Sequence, residues 1–192
     1  MVAFIVIGCF AFIFFYIFDL NKIIFIHKWI NICFAMGIVL LGISTISLLF
    51  NNFKGTELFT PVQWLAGTLA FISLLLMVYT LFLGIPFTKT YMEAKGRNTV
   101  VNTGMYALCR HPGVIWFFFF YLFLAWASGN MLLMWAAMVW TTMDIIYVYI
   151  QDRWVFSIIL EDYQHYQKQV PFLIPDQTSI RNCILSLQGK VV

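Results

Sequence analysis

Asn98-Thr99-Val100-Val101-Asn102-Thr103-Gly104-Met105-Tyr106-Ala107-Leu108-Cys109-Arg110-His111-Pro112 is the polar stretch that interrupts an otherwise apolar chain. It gathers amides, hydroxyls, a cation and a titratable ring between two long hydrophobic runs, Val62 to Gly84 before it and Val114 to Ser128 after it. Outward from these lie Val2 to Phe18, Trp29 to Phe50 and Met131 to Ile150. Each of the five runs is long enough, or nearly so, to cross a hydrocarbon core that needs about 20 helical residues. The pattern predicts an all-α fold, a polytopic membrane protein of about five transmembrane helices plus a C-terminal interfacial amphipathic helix. Residues 1–192 then form a single integral membrane domain. Helices one to three occupy 1–84, the polar loop, a helical hairpin and a tail motif occupy 85–175, and 176–192 is an extension.

Composition agrees with a lipid-solvated chain. Of 192 residues 62% are hydrophobic and 10% charged, against about 25% charged in a soluble domain. A net charge of +3 with dispersed basic residues argues against nucleic acid and points to no acidic substrate, so the cations read as topology signals. Cys9, Cys33, Cys109 and Cys183 form no C-x-x-C pair and fall in separate segments, which indicates neither a disulfide framework nor a zinc site. The first run lacks a basic n-region and small residues for cleavage, so it is expected to be a transmembrane helix and not a secretory signal. With the N-terminus outside and the C-terminus inside, every Lys and Arg except Lys54 falls on the cytoplasmic side. The loop 85–113 and the tail 151–192 then share that side.

Ala127-Ser128-Gly129-Asn130 reads as a tight turn that makes the fourth and fifth runs an antiparallel hairpin. Beyond it, Phe156, Ile159, Leu160, Tyr163 and Tyr166 recur at helical spacing, with Glu161, Asp162, Gln164 and Lys168 on other faces. This predicts the interfacial amphipathic helix, continuous with helix five and ended by Val170-Pro171-Phe172-Leu173-Ile174-Pro175.

Two places can carry chemistry. Pro112 suits the first turn of a helix, which puts Arg110 and His111 beside a helix N-terminus where free N–H groups and partial positive charge favour an anion such as a carboxylate. The competing reading is a positive-inside anchor, with Arg110 snorkelling to the headgroups. Asp144 lies inside the fifth run, where an uncompensated carboxylate costs about 2.5–3.5 kcal/mol even on insertion scales. Tyr147 and Gln151 share nearly its helical face, with Asp152 alongside. Here the competing reading is a structural pair with Thr141 or a neighbouring helix. His27 and His165 are expected to face headgroups, and Phe117 to Phe120 to be lipid-facing bulk or a tunnel wall.

Gly104-x-Tyr106-x-x-x-Arg110-His111-Pro112, the polar pair Gln151-Asp152, and Glu161-Asp162-Tyr163-x-x-Tyr166-x-x-x-Val170-Pro171-x-x-Ile174-Pro175 together resemble the isoprenylcysteine carboxyl methyltransferase and phospholipid methyltransferase superfamily. The likeness covers residues 98–175; the first three runs match only in hydrophobic character. It implies a membrane methyltransferase using S-adenosylmethionine, with a cytosolic cofactor pocket built by the loop before helix four and the tail. By position, Asn98, Thr99, Val100, Val101, Tyr106, His111, Pro112, Gly113 and Val114 look like cofactor contacts, and Gln151 stands where the family has a cofactor-binding glutamate. Arg110 and His111 would hold the methionyl carboxylate, and an aromatic such as Tyr106 would face the sulfonium; separately from the resemblance, Asp144 and Asp152 are the candidates for accepting a proton. The chain departs from the family at Val114, Trp116 and Gln151. Tyr147 replaces a substrate-binding arginine of the prenylcysteine enzymes, which directs the expected acceptor away from prenylcysteine and towards an apolar or lipid-like molecule met at Asp144 and Tyr147. Two other functions are open: an NADPH-dependent membrane reductase of the steroid-reductase type, and a non-catalytic lipid-binding relative.

Overall fold

Runs of Ile, Leu, Phe and Val without internal proline form helices here because an α-helix satisfies its own backbone N–H and C=O groups where no water can. The structure, a computed structural model, describes residues 2–51, 60–84 and 98–188. Lys54, Lys89, Lys95, Arg97 and Lys190, part of the charge argument, lie outside the described residues, as do the side chains of Asn98 and Thr99.

Four long apolar helices dominate. α1 (Val2–Leu20) runs on through a π-helical turn at Asn21–Phe25, α2 (Ile32–Asn51) follows a 3-10 turn at Lys28–Asn31, and α3 (Pro61–Val78) continues as a π-helical turn to Leu83. A short α4 (Met105–Leu108) precedes the 17-residue apolar helix α5 (Pro112–Ser128). α6 (Met131–Ile150) extends through a π-helical turn at Gln151–Val155 into α7 (Phe156–Ile159). The spans Val2–Phe25, Lys28–Phe50, Pro61–Leu83 and Met131–Ile159 are each long and apolar enough to cross a membrane. Their outward side chains, among them Phe10, Ile46, Phe71 and Ile146, are large and hydrophobic, the surface expected of helices solvated by lipid tails.

α1 packs between α2 and α6, α6 packs on α5, and α5 packs on α3, while α2 and α3 stay largely apart. Leu133, Ala136, Ala137, Trp140, Thr141, Tyr147 and Val148 form the inward face of α6, at the three- and four-residue spacing of one helical stripe. The expected hairpin is present. Gly129 adopts φ +61 at the C-terminus of α5, and Asn130 accepts hydrogen bonds from the N–H groups of Leu132 and Leu133. Its Nδ2 also donates to the Leu48 carbonyl at 2.7 Å, tying the turn to α2. Asn130→Ala should therefore cost about 2 kcal/mol, a cap and one interhelical bond, and Asn130→Asp, which keeps the cap, about half. Thermal unfolding in detergent reads both.

The tail corrects the expected amphipathic helix. The chain breaks at β2 (Leu160–Glu161), a two-residue strand pairing in parallel with β1 (Asn98–Thr99), and at Asp162, whose φ is +55. α8 (Tyr163–Gln169) then turns back, which buries Phe156, Tyr163 and Tyr166 in a small core with Val155 and Val170. These residues face the protein and not the headgroups, because Tyr163 and Tyr166 find buried hydrogen-bond acceptors there. A further helix, α9 (Gln177–Leu187), follows the proline-bounded segment and packs against α4.

Candidate functional site

The extra residue in the π-helical turn after α6 turns both Gln151 and Asp152 inward, a local irregularity that often marks a functional place in a helix. Asp152 is 2% exposed and is the centre of a charge cluster. Arg110 Nε lies 2.9 Å from its Oδ1, and Arg110 Nη2 donates to Oδ2 at 3.1 Å. The Tyr163 hydroxyl donates to Oδ1 at 2.6 Å, and Gln167 Nε2 donates to Oδ2 at 3.0 Å. His111 Nε2 stands 3.2 Å from Oδ1. The second Arg110 terminal nitrogen donates to the carbonyls of Gln167 and Val170, and its backbone N–H to that of Pro171. Arg110 thereby locks the loop before α5 to α8 and to the start of the proline-bounded segment.

Burial lowers the His111 pKa, against the opposing pull of Asp152, so the imidazole is held neutral. A carboxylate only accepts hydrogen bonds, so Nε2 carries the proton and Nδ1 keeps a free lone pair. The ring stacks on Phe156 at 5.9 Å and meets Phe172 edge-on at 5.1 Å. The cluster as a whole is electrically neutral, one carboxylate against one guanidinium. Burial, and then the bond to Asp152, raise the Tyr163 pKa and keep its phenol protonated. Burial pushes the Cys109 thiol up to about 12, which leaves no thiolate nucleophile there. The His111 shift carries a pH signature. Its folded pKa lies below the ordinary 6.5, so the unfolded chain binds a proton that the folded chain resists. Stability is fully present above about pH 6.5 and is lost as pH falls through the folded pKa. Unfolding midpoints from pH 8 to 5 should fall for the native chain, and His111→Gln should flatten that slope.

A second network is centred on the adjacent Gln151. Gln151 Nε2 donates to Asp19 Oδ2 at 2.8 Å and lies 2.7 Å from the Tyr147 hydroxyl. Asp19, 2% exposed on α1, is the residue that sequence reasoning missed. The signal was an acid one residue beyond the expected end of the first run, Phe18. Tyr163 was legible only as spacing and not as a partner of Asp152, and Gln167 carried no signal in the sequence.

Between these networks and the middle of the bundle runs a cavity of about 500 Å³, the size of a small-molecule pocket. Its walls include Val100, Val101, Tyr106, Arg110, His111, Pro112, Gly113 and Val114 at one end, then Tyr147 and Gln151, and Asp144 with Thr45 and Tyr121 further in. Most residues singled out from the sequence therefore share one space. Asp152 does not line it; its carboxylate stands behind Arg110 and His111. Asn98 and Thr99 contribute the backbone of β1. Phe117 and Phe120 are cavity wall. Ile38 and Ile46 on α2, Val78 at the end of α3, and Leu81 and Phe82 in the π-helical turn that follows it all line the cavity and reach the outer surface, so it opens sideways where α2 and α3 stand apart.

No protein-family model, curated protein or solved structure matches the chain. What the site can do therefore rests on its own geometry. At the polar end the cavity offers the His111 Nδ1 lone pair, aromatic faces from Tyr106, Phe156 and Tyr163, and the Gly113 N–H at the start of α5, which no side chain caps. Such an end can hold a zwitterion, with the Gly113 N–H for its carboxylate, the His111 Nδ1 lone pair for its ammonium and ring faces for a further cation. The remainder is apolar and fits a hydrocarbon.

Proposed function

We propose that this chain is an integral membrane methyltransferase that moves a methyl group from S-adenosylmethionine to an apolar or lipid-like acceptor. The observation that carries the reading is the single cavity that joins a polar end of zwitterion-binding character to an apolar chamber open between α2 and α3. S-adenosylmethionine supplies an electrophilic methyl on a sulfonium. Val100, Val101, Tyr106, His111, Gly113 and Val114 would hold it, with the Gly113 N–H turned to its carboxylate and the aromatic walls to its sulfur; Arg110, expected to bind that carboxylate, is instead committed to Asp152 and the Gln167 and Val170 carbonyls. The protein's own contribution is alignment and exclusion of water. Arg110 and Asp152 act as a clamp that keeps the loop and α8 together around the pocket.

In this reading the apolar helix Pro112–Ser128 is a fifth span, the N-terminus is outside, and the loop and tail are cytoplasmic. Amphipathic α9, with Ile180, Ile184 and Leu187 exposed, is the interfacial helix. The acceptor reaches the cavity from the bilayer through the α2–α3 opening. Calorimetric titration of purified full-length protein should show saturable binding of S-adenosylmethionine and of S-adenosylhomocysteine, with transfer of labelled methyl into a lipid extract. Protein that binds neither molecule overturns the proposal.

One observation favours a second reading, a non-catalytic lipid-binding relative. Both Asp152 oxygens are taken by Arg110, His111, Tyr163 and Gln167, as a purely structural cluster would require. An apolar ligand that co-purifies with the protein, together with silence towards S-adenosylmethionine, would support it. NADPH titrated in the same experiment tests the reductase reading.

A further inference from the structure

The deep end of the cavity differs in chemistry from its walls. Asp144 lies on the inward stripe of α6, between Thr141 and Tyr147, and is half-buried while lining the cavity. Among the described residues no hydrogen bond or ion pair reaches its carboxylate. Thr45, opposite on α2, donates its only hydroxyl proton to the Leu41 carbonyl at 2.7 Å and stands 2.9 Å from the Tyr121 hydroxyl. The Tyr121 hydroxyl must then donate to Thr45, which leaves lone pairs and no uncommitted proton on the Tyr121 oxygen. The polar atoms facing this end of the chamber are thus acceptors. An intramembrane carboxylate without a partner is costly, and a ligand that supplies a donor removes that cost.

We infer that the deep end of the cavity, formed by Asp144, Thr45 and Tyr121, binds the hydrogen-bond-donating end of an otherwise apolar ligand, an ammonium or a hydroxyl. An anionic end would meet like charge at the ionised carboxylate. The helical rise of 1.5 Å per residue puts Asp144 about 10 Å deeper than Gln151 along α6, so apolar Phe117, Phe120 and Val148 wall separates the two polar ends. The inference rests on the methyl-transfer reading only in taking this ligand as the methyl acceptor: a lipid-like molecule whose remote end carries the donor.

The test uses full-length protein in nanodiscs of phosphatidylcholine and compares dodecylamine, dodecanol and dodecanoic acid by calorimetric titration. The native chain should prefer dodecylamine, dodecanol or both over the acid by about tenfold or more, the effect of pairing a buried charged group. Preference for the amine alone identifies an ammonium site, and equal preference for both identifies a hydroxyl-tolerant one. Asp144→Asn should erase the selectivity, while nonspecific partition into the disc stays the same in both proteins. No preference in the native chain, or a preference that survives in folded Asp144→Asn protein, overturns the inference. If Asp144→Asn fails to accumulate, Asp144→Thr replaces it, and the selectivity of the native chain still decides. S-adenosylmethionine binding, measured on the same samples, should be equal in the native and Asp144→Asn proteins. Its absence from both would remove the methyl-transfer reading and leave donor selectivity at Asp144 standing.

Discussion

Asp152→Ala should destabilise the protein by about 3–5 kcal/mol, the range found when one partner of a buried ion pair is removed. The carboxylate is 2% exposed, and the Arg110 side chain that pairs with it is 11% exposed. Without Asp152 the guanidinium stays buried with no counter-charge, and the His111, Tyr163 and Gln167 donors lose their acceptor. Each orphaned neutral donor adds about 1 kcal/mol or more, but the unpaired cation dominates. Asp152→Asn should fall between, since its amide keeps one acceptor and turns a donor towards Arg110. A paired replacement, Arg110→Met with Asp152→Leu, should recover much of the loss, because a buried ion pair exchanged for apolar groups is often close to neutral. Tryptophan fluorescence during thermal unfolding in detergent measures all three. An Asp152→Ala protein as stable as the native chain would show that the cluster does not hold the tail in place.

Trp140→Ala should cost about 3 kcal/mol. Trp140 is fully buried on α6, its Nε1 donates to the Ile5 carbonyl of α1 at 2.9 Å, and its ring meets Tyr121 edge-on at 5.0 Å. In water such a truncation costs about 3–5 kcal/mol. In a bilayer the transfer part fades, because lipid tails are as apolar as the core, so the low end applies and the loss is mostly packing. The ring occupies a notch that Gly8 leaves open on α1: a Cβ at position 8 would overlap the Trp140 indole. Gly8→Val in the native background should therefore also destabilise strongly. In the Trp140→Ala background it should be nearly harmless, since the void receives the new side chain. Additive losses in that double-mutant cycle would refute the notch.

The helical runs were legible because a membrane imposes its thickness on the chain, and about 20 apolar residues leave few alternatives. The Gly129-Asn130 turn was legible for a local reason, a left-handed position followed by a capping amide. The break at Asp162 was not. The periodicity from Phe156 to Lys168 is helical in composition, yet Tyr163 reaches Asp152 and β2 reaches β1 only if the helix stops, and both partners are distant in sequence. The site divides the same way. Arg110, His111 and Gln151-Asp152 stood out as polar groups among apolar ones, but Asp19 pairs with Gln151 across 132 residues, a separation over which local pattern carries no signal.

By itself the sequence determined an all-α chain with the spans of a membrane protein, the hairpin after Ser128, and the set of polar residues available for chemistry. Periodicity, hydropathy and turn chemistry act within a few residues, so these could be read in one dimension. Only the tertiary structure decided that Asp152 stands behind the cavity wall while Asp144 lines it, that Arg110 is spent on holding the tail, and that one chamber joins the polar cluster to the gap between α2 and α3. Those outcomes depend on which buried donors find which buried acceptors once five helices have packed, and that competition is settled in space.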